Sequence, residues 1–346
     1  MNVINYQALQ QPVTEQMIAQ YRHMYNVQAP RAGAQKSSFW VFVAITASIG
    51  IIGVTFIALT NEWSAGLVII LFGLILWATF TGIQRSMIKT EQLRARYYQF
   101  AKDNNLHYWP ETKSPNHNGM MFLRGDTRTA YHQFFTTSGR IFEFGNYSYM
   151  TGSGKSRSRH DLGYVSIYLD RNLPHMVLDS RKNNVSVFGA NMSNLPVSFS
   201  KDQQLSLEGD FNEHFVLYAP KEYERDALYV FAPDLMALMI DNVAQFDAEI
   251  IDNKLYVYST TPFDFNNIQL MDRLFSIVTL VGAKAARQTE KYKDTRIMQT
   301  EGAAHVVAPA GRRLKQRVSW LAIVFVVIFL LLNSLGTIVS FIENFR

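Results

Sequence analysis

The chain has 346 residues, 48% of them hydrophobic, and a formal net charge of +5. It has no cysteine, which excludes disulfides and any chemistry that depends on a thiolate nucleophile or ligand. Its apolar residues concentrate in three stretches without Asp, Glu, Lys or Arg, each close to the ~20 residues that cross a bilayer as a helix, which argues against an ordinary soluble protein.

Residues 1–38 are predicted to form an N-terminal arm with one amphipathic helix. Thr14 can cap this helix, and Met17, Ile18 and Tyr21 begin an apolar stripe at helical spacing. The helix could lie on the bilayer surface or pack on the folded domain. Its polar face carries few Lys and Arg residues, which favours packing over a purely interfacial anchor.

The apolar stretches predict transmembrane helices at 39–60, 65–83 and 318–341. The first begins too late in the chain to be a cleaved signal peptide. The second is predicted to continue past the membrane as a juxtamembrane helix, 84–104, that ends near Asn104–Asn105.

Basic residues near the ends of the spans predict their orientation. They cluster before the first span, after the second and before the third, at Arg31, Lys36, Arg85, Lys89, Arg94, Arg96, Arg312, Arg313, Lys315 and Arg317. The short connection between the first two spans has none. Because cationic residues stay on the cytoplasmic side, the N-terminus and residues 84–317 are predicted to be cytoplasmic, and the tail 342–346 external. The protein is then a multi-pass protein of the cell membrane, and its positive charge needs no nucleic-acid partner.

Residues 105–300 are predicted to form one cytoplasmic α+β domain with a largely antiparallel sheet and flanking helices, followed by a basic linker, 301–317. Aromatic and β-branched runs separated by turn signals predict strands. These are Met120–Arg124, Thr129–Thr136, Arg140–Tyr149, Gly163–Leu169, His175–Asp179, Val185–Phe188 and Phe215–Ala219, then a hairpin of Ala248–Ile251 and Lys254–Ser259 around Asp252-Asn253.

The helices of this domain are marked by capping residues. Pro220 or its neighbour opens a short helix, and Pro233 suits the first turn of another. Asp264 is a candidate cap for a long amphipathic helix that reaches about Met298, and Asp241 and Asp247 are typical of solvated caps.

The stretch GSGKS at 152–156 matches the second half of a phosphate-binding loop. The first glycine of that motif is replaced by Tyr149, and the strand-like residues 164–169 follow where the motif needs a helix. The pattern therefore indicates a hairpin loop. Its cations, Lys155, Arg157 and Arg159, together with Arg312, Arg313, Lys315 and Arg317, are candidates for contact with anionic lipid headgroups or an acidic partner.

No other motif predicts a catalytic residue, a cofactor or a metal site. His160-Asp161 lacks the further ligands of a metallophosphohydrolase. His175 and Asp179, on one face of a strand, are predicted to lie ~13 Å apart, too far to share a ligand. The acidic segment Leu207–Glu213 lacks the glycine and closing glutamate of a calcium loop.

The segments Gly163–Asp179, Leu207–Tyr218, Phe100–Tyr108 and Pro233–Met239 resemble a group of bacterial membrane proteins of unknown function. That group has a two-span N-terminal hairpin and a cytoplasmic α+β domain. The resemblance covers roughly residues 90–260 and implies no catalytic residues; the third span is less typical of the group.

Together these features predict a non-catalytic, membrane-anchored binding, scaffolding or sensory domain. Its expected partners are the bilayer, anionic headgroups and a protein partner or a second copy of the chain. The alternative is a membrane-bound enzyme with a dispersed site. Such a site would bring together residues such as His160, Asp161, His175 and Asp210.

Overall fold

A computed structural model describes residues 3–26, 32–60, 63–187, 190–297, 306–317 and 330. The chain forms two compact units, Met1–Pro110 and Glu111–Arg346. Apart from Leu330, the predicted third span 318–341 and the tail lie outside the described residues.

The described helices are α1 (Gln7–Gln10), α2 (Glu15–Met24), α3 (Ala32–Thr60), α4 (Trp63–Asp103), α5 (Phe211–His214), α6 (Glu224–Val230), α7 (Pro233–Val243), α8 (Ile268–Ser276), α9 (Ala283–Thr289) and α10 (Pro309–Arg312). A π-helical turn, Ile277–Gly282, joins α8 to α9.

The described strands are β1 (His107–Lys113), β2 (Asp126–Phe135), β3 (Phe142–Thr151), β4 (Ser158–Ser180), β5 (Val185–Val187), β6 (Ala190–Met192), β7 (Ser198–Phe199), β8 (Gln204–Leu205), β9 (Phe215–Tyr218), β10 (Asp247–Tyr258) and β11 (Gln316–Arg317).

Two helices of the first unit, α3 and α4, are long and apolar enough to cross a membrane. Only 6% of the most apolar window of α3 and 11% of that of α4 is buried inside the protein. Large side chains such as Ile51, Leu71 and Phe72 are more than half exposed. Water would solvate such surfaces poorly. By length and exposed apolar surface, α3 and α4 therefore fit the first two predicted spans.

The end of α4 lies within two residues of the predicted helix end. Asn105 adopts a left-handed conformation with φ 55°, and the amide of Leu106 donates to the carbonyl of Ala101 at 2.8 Å. The amide of Asn105 also donates to Lys102 O, so the helix closes with a Schellman motif. No proline or glycine interrupts the helix between Gly82 and this motif.

Glycines allow α3 and α4 to approach closely. A Cβ placed on Gly66 would lie 2.0 Å from Ile57 Cγ1, and one on Gly53 would lie 2.8 Å from Ile70 Cγ1. Small residues at such contacts are what membrane helices use to pack backbone against backbone.

We predict that cysteines at positions 49 and 73 form a disulfide across α3 and α4. A Cβ built on Gly73 lies 3.7 Å from the Cβ of Ile49, within the range for a disulfide, and the chain has no native cysteine to compete. The I49C/G73C variant should therefore cross-link nearly completely under mild oxidation, measured by a maleimide mobility-shift assay. Adding Gly66→Leu should reduce this yield severalfold; efficient cross-linking of a matched I52C/G73C pair would contradict the helix register.

The N-terminal helix α2 packs against the juxtamembrane part of α4. Arg22 forms a bidentate pair with Glu91 at 2.6 and 2.7 Å, and Tyr21 of the apolar stripe is only 2% exposed. Thr14 caps α2 by accepting from the amide of Met17, as the sequence predicts. The partner of α2 within the first unit is therefore the juxtamembrane helix, and packing on the folded domain stays a prediction.

The second unit is built on an antiparallel sheet with flanking helices. Its strand order is β1-β2-β3-β4-β9-β8, and β10 pairs with β4. The last three residues of β1, Glu111–Lys113, belong to this unit. The central strand β4 pairs with β3 along its first half, with β9 at its end, and with β10 from Tyr164 to Leu178. The predicted α+β class, with an antiparallel sheet and flanking helices, is therefore confirmed.

The ribbon formed by β4 and β10 bends sharply at a bulge. The register shifts on either side of Asp252, which has φ 52° and faces Leu173. Tyr258 and Glu249 are nine residues apart, roughly 30 Å in a straight strand, yet the Tyr258 hydroxyl lies 2.7 Å from Glu249 Oε2. The two arms of the ribbon therefore fold over each other and enclose an aromatic core.

The core cluster of these arms includes Phe122, Tyr147, Tyr164, Val177, Phe199, Ile251, Tyr256, Tyr258 and Leu314.

Several sequence-based predictions for this unit are wrong. Residues 248–251 and 254–258 do not form a hairpin with each other, because both pair with β4, which itself runs unbroken through Asn172. Residues 120–124 form turns rather than a strand, since the amide of Phe122 closes a turn onto Gly119 O.

The boundaries of the last long helix also differ. Asn267 rather than Asp264 caps α8, by accepting from the amide of Leu270 at 3.2 Å. Asp264 instead accepts from the amide of Asn266 in the preceding turn. The helical run ends at Thr289, nine residues before the predicted end. Pro233 occupies the first turn of α7 as predicted.

The segment 306–317, predicted as part of a linker, packs into the second unit. Val307 and Leu314 are 4% and 5% exposed, and β11 pairs with β7. The amide of Lys315 donates to Gln203 Oε1 at 2.8 Å, and Gln203 Nε2 donates back to Lys315 O at 2.9 Å. Residues 307–317, which precede the predicted third span, are therefore held to the second unit by buried apolar contacts and hydrogen bonds.

Candidate functional site

The second unit contains an open cleft of about 520 Å³ between the two arms of the β4–β10 ribbon. It is lined by Met121, Tyr149, Arg159, His160, Asp161, Leu162, Asn183, Asn194, Pro196, Asp247, Tyr258, Ser259 and Thr260. Because the ribbon folds back, residues from both ends of β10 meet here. An aromatic surface with polar groups at its rim is typical of a binding site.

One wall of the cleft is aromatic. The ring of Tyr149 on β3 stacks on that of His160 on β4, with centroids 4.9 Å apart and planes 16° from parallel. His160 Nε2 lies 2.7 Å from the hydroxyl of Thr151 across the same hairpin. These contacts fix the orientation of the imidazole, which remains exposed at the cleft.

Beside this wall lies an ion pair. Both nitrogens of the Arg159 fork, Nε and Nη2, donate to Asp161 at 2.8 Å, and Tyr131 donates to the same carboxylate at 3.2 Å. The hydrogen bonds from Arg159 lower the pKa of Asp161 from its ordinary value, with burial opposing them. A carboxylate held in this way is a poor proton acceptor near neutral pH.

The cleft is also lined by Asp247, which the sequence suggested was a solvated cap. It is only 5% exposed, because it begins β10 rather than ending a helix at the surface. The amide of Ser180 donates to its Oδ1 at 2.9 Å, and Asn194 Nδ2 donates to its Oδ2 at 3.0 Å. Burial raises the pKa of Asp247, and these hydrogen bonds offset part of that effect.

Asp179 is 2% exposed and is not among the residues that line the cleft. Burial raises the pKa of Asp179 to about 6, the charge of Asp247 adds to the increase, and hydrogen bonds from Ser193 and Asn184 oppose it. The sequence placed Asp179 on a strand but gave no sign of its proximity to Asp247, which is 68 positions away.

A second buried polar group connects the two arms of the ribbon. Glu249 Oε2 accepts from the Tyr258 hydroxyl and the Met120 amide at 2.7 and 2.8 Å, and Oε1 lies 2.8 Å from His175 Nε2. His175 Nδ1 accepts from the Leu314 amide at 3.0 Å, so its ring proton is on Nε2 and points at Glu249. Every polar atom of this group is satisfied, which identifies it as structural.

The hairpin loop at 152–157 joins β3 to β4, as the sequence predicts, and no helix follows it. Lys155 is exposed. Arg157 pairs with Asp126 and Thr127, and Arg159 with Asp161. Two of the three loop cations are therefore engaged within the sheet.

The other predicted contact residues lie in 312–317. Arg312 Nε donates to Val307 O at 2.8 Å, and Arg313 pairs with Asp252 at 3.1 Å. Lys315 and Arg317 are exposed, in or beside β11. Their contact with lipid or a partner stays a prediction.

The four residues suggested for a dispersed catalytic site do not all meet. His160 and Asp161 line the cleft, His175 belongs to the Glu249 group, and Asp210 precedes the short helix α5 without capping it. Among the described residues, no three His, Asp or Glu side chains are grouped closely enough to hold a metal ion.

No family model matches the chain, and no curated protein is significantly similar to it. Among solved structures, the chain is similar to the crystal structure of the mycobacterial trehalose monomycolate transport factor A, TtfA. The identity is 12% and the TM-score 0.36, over 56% of this chain and 92% of that one. A likeness at this level does not establish a shared fold or function.

Proposed function

We propose that this protein anchors a binding domain at the cytoplasmic face of the cell membrane. The observation that carries the proposal is the exposure of the apolar residues of α3 and α4, which a bilayer would cover. The anchor comprises three spans, 39–60, 65–83 and 318–341, and leaves the N-terminus inside and the C-terminus outside.

The orientation rests on the basic residues at the span ends. The positive-inside rule keeps the Arg and Lys residues of 85–96 and 312–317 with the cytoplasmic leaflet, where anionic lipids attract them. Lys155 and Arg317, both exposed, are the best candidates for direct contact with headgroups.

The cleft is the described surface best suited to a protein partner. Interfaces combine aromatic anchors with a polar rim, and the stacked Tyr149 and His160 rings lie beside the polar groups of Arg159 and Asn194. The enzyme alternative has two of its four residues here, and one of them, Asp161, is already engaged by Arg159. Binding is therefore the primary role.

We expect a photo-cross-linking residue in the cleft to capture a partner in cells. A benzophenone amino acid at Met121 or Thr260, both at the cleft, should give a discrete high-mass adduct on irradiation. Asp170, which is exposed on β4, serves as the control position and should give none. A complete lack of adducts at both cleft positions, or the same adducts at Asp170, would count against a binding role for the cleft.

A further inference from the structure

Two buried aspartates face each other across β4 and β10. Ala248 pairs with Leu178, so the same antiparallel register sets Asp247 opposite Asp179. The hydrogen bond from the Ser180 amide to Asp247 Oδ1 fits this placement. Like charges directly opposite on neighbouring strands repel, and burial strengthens the repulsion because water no longer screens it.

The basic residues in the described part of the chain lie too far from this pair for direct contact. Among the described residues, neither aspartate forms an ion pair with Lys, Arg or His. The cation next in sequence, Arg181, is exposed and donates through Nε to the carbonyl of Asn212 at 2.8 Å. The charge of Arg181 lowers the pKa of Asp179, but less than burial raises it, so the pair can still gain from a positive charge outside the chain, or from protons.

Side-chain oxygens without partners surround the pair. Asp179 Oδ1, Asn194 Oδ1 and both Oδ1 and Nδ2 of Asn183 are inaccessible to solvent and have no hydrogen-bond partner in the described part of the chain. The orientation of the Asn194 amide is fixed, because its nitrogen donates to Asp247 at 3.0 Å and its oxygen must face the other way. Buried oxygens without donors are rare in folded proteins, and each calls for a ligand.

We propose that this cluster binds a hard divalent cation, Ca²⁺ or Mg²⁺, through the carboxylates of Asp179 and Asp247 and the amide oxygens of Asn183 and Asn194. Carboxylate and amide oxygens are the ligands these two ions prefer. The set contains no imidazole or thiolate, which disfavours zinc and copper. The site would contain two carboxylates, with the amide oxygens and water supplying the other ligands.

The cleft gives the cation a route and a source of water ligands. Asp247, Asn183 and Asn194 line the cleft, whereas Asp179 does not. The backbone N–H of Asn194 donates to the side-chain oxygen of Asn184 at 3.1 Å. The two ends of the segment 184–194 therefore meet at the cluster. A bound cation would hold both ends of this segment to the sheet.

The test is a calorimetric titration of the full-length protein in detergent at pH 7.5, after removal of divalent ions with a chelator. We expect one equivalent of CaCl₂ or MgCl₂ to bind, with separate titrations showing which ion binds more tightly. Asp179→Asn and Asp247→Asn should each weaken binding at least tenfold. Asp170→Asn, an exposed aspartate on the same strand, should leave it unchanged. Hydrogen exchange of residues 183–196 should slow with the ion present.

Both aspartate variants should fold in the presence of chelator because they remove charge repulsion; Asn194→Ala supplies a further variant that leaves both charges in place. The proposal is wrong if the wild type binds neither ion at millimolar concentration. It is also wrong if all three variants bind as the wild type does. If the melting temperature of the wild type depends on pH but not on either ion, the aspartate pair binds only protons, and the proposal is also wrong. The result is independent of membrane anchoring and of the partner proposed for the cleft.

Discussion

Replacing Glu249 with alanine should lower the free energy of unfolding by about 3–5 kcal/mol. Its carboxyl accepts from Tyr258, Met120 and His175, and its side chain is fully buried. Alanine would leave all three donors without a partner, and each unsatisfied buried group costs about 1–3 kcal/mol. The loosened His175 would also weaken the bond to Leu314.

The measurement is thermal unfolding of the full-length protein in detergent, where we expect a decrease of roughly 10 °C or more. Glu249→Gln should cost less, since its amide nitrogen opposes only the donor nitrogen of His175. Tyr258→Phe removes one donor and should cost about 1 kcal/mol. Glu208→Ala, at an exposed position, is the control. A Glu249→Ala protein as stable as this control would refute the structural role of the group.

Asp179→Asn should instead stabilise the protein when divalent ions are absent. Burial raises the pKa of Asp179 to about 6 from an ordinary value of 3.8. A raised acid pKa means that the folded state binds the proton more tightly, so the contribution of Asp179 to stability is most favourable below about pH 4. It falls as the pH rises through 6, by about 3 kcal/mol in total. Removing the charge should recover roughly 1–3 kcal/mol of this at pH 7.5.

Melting temperatures in chelator between pH 4 and 7.5 measure this effect. The wild type should lose stability relative to Asp179→Asn as the pH rises from 4 to 6.5, and the difference should then level off. Asp170→Asn should follow the wild type throughout. If Asp179→Asn is less stable than the wild type at pH 7.5 in chelator, the carboxylate is not under the repulsion described.

Features encoded locally could be predicted from the sequence. The uncharged stretches predicted α3 and α4, and the Tyr149 and strand residues around GSGKS predicted a hairpin instead of a phosphate-binding loop. Thr14 and Pro233 marked helix starts correctly. In each case the decisive residues lie within one or two turns of the feature they specify.

Features that depend on distant residues could not be predicted. Asp252-Asn253 marked a change of direction but was interpreted as a turn. Its partner in β4, Leu173, is 79 positions away, and because β4 continues through this point, the irregularity at Asp252 bends the paired strands instead of reversing the chain. The buried position of Asp247 likewise depends on its facing Asp179 across the ribbon. A single sequence shows neither pairing, so the cleft and the acidic pair appear only in the folded chain.

The central claim, an anchored domain on the cytoplasmic side, is tested most directly by cysteine accessibility in intact cells. The chain has no native cysteine, so labelling of a single introduced cysteine reports on that position only. The two positions are Ser64→Cys, between the first two spans, and Glu208→Cys, in the domain. A membrane-impermeant maleimide should label Ser64→Cys at once, and Glu208→Cys only after the membrane is permeabilised. Rapid labelling of Glu208→Cys in unbroken cells, with Ser64→Cys protected, would contradict the orientation and the proposal that rests on it.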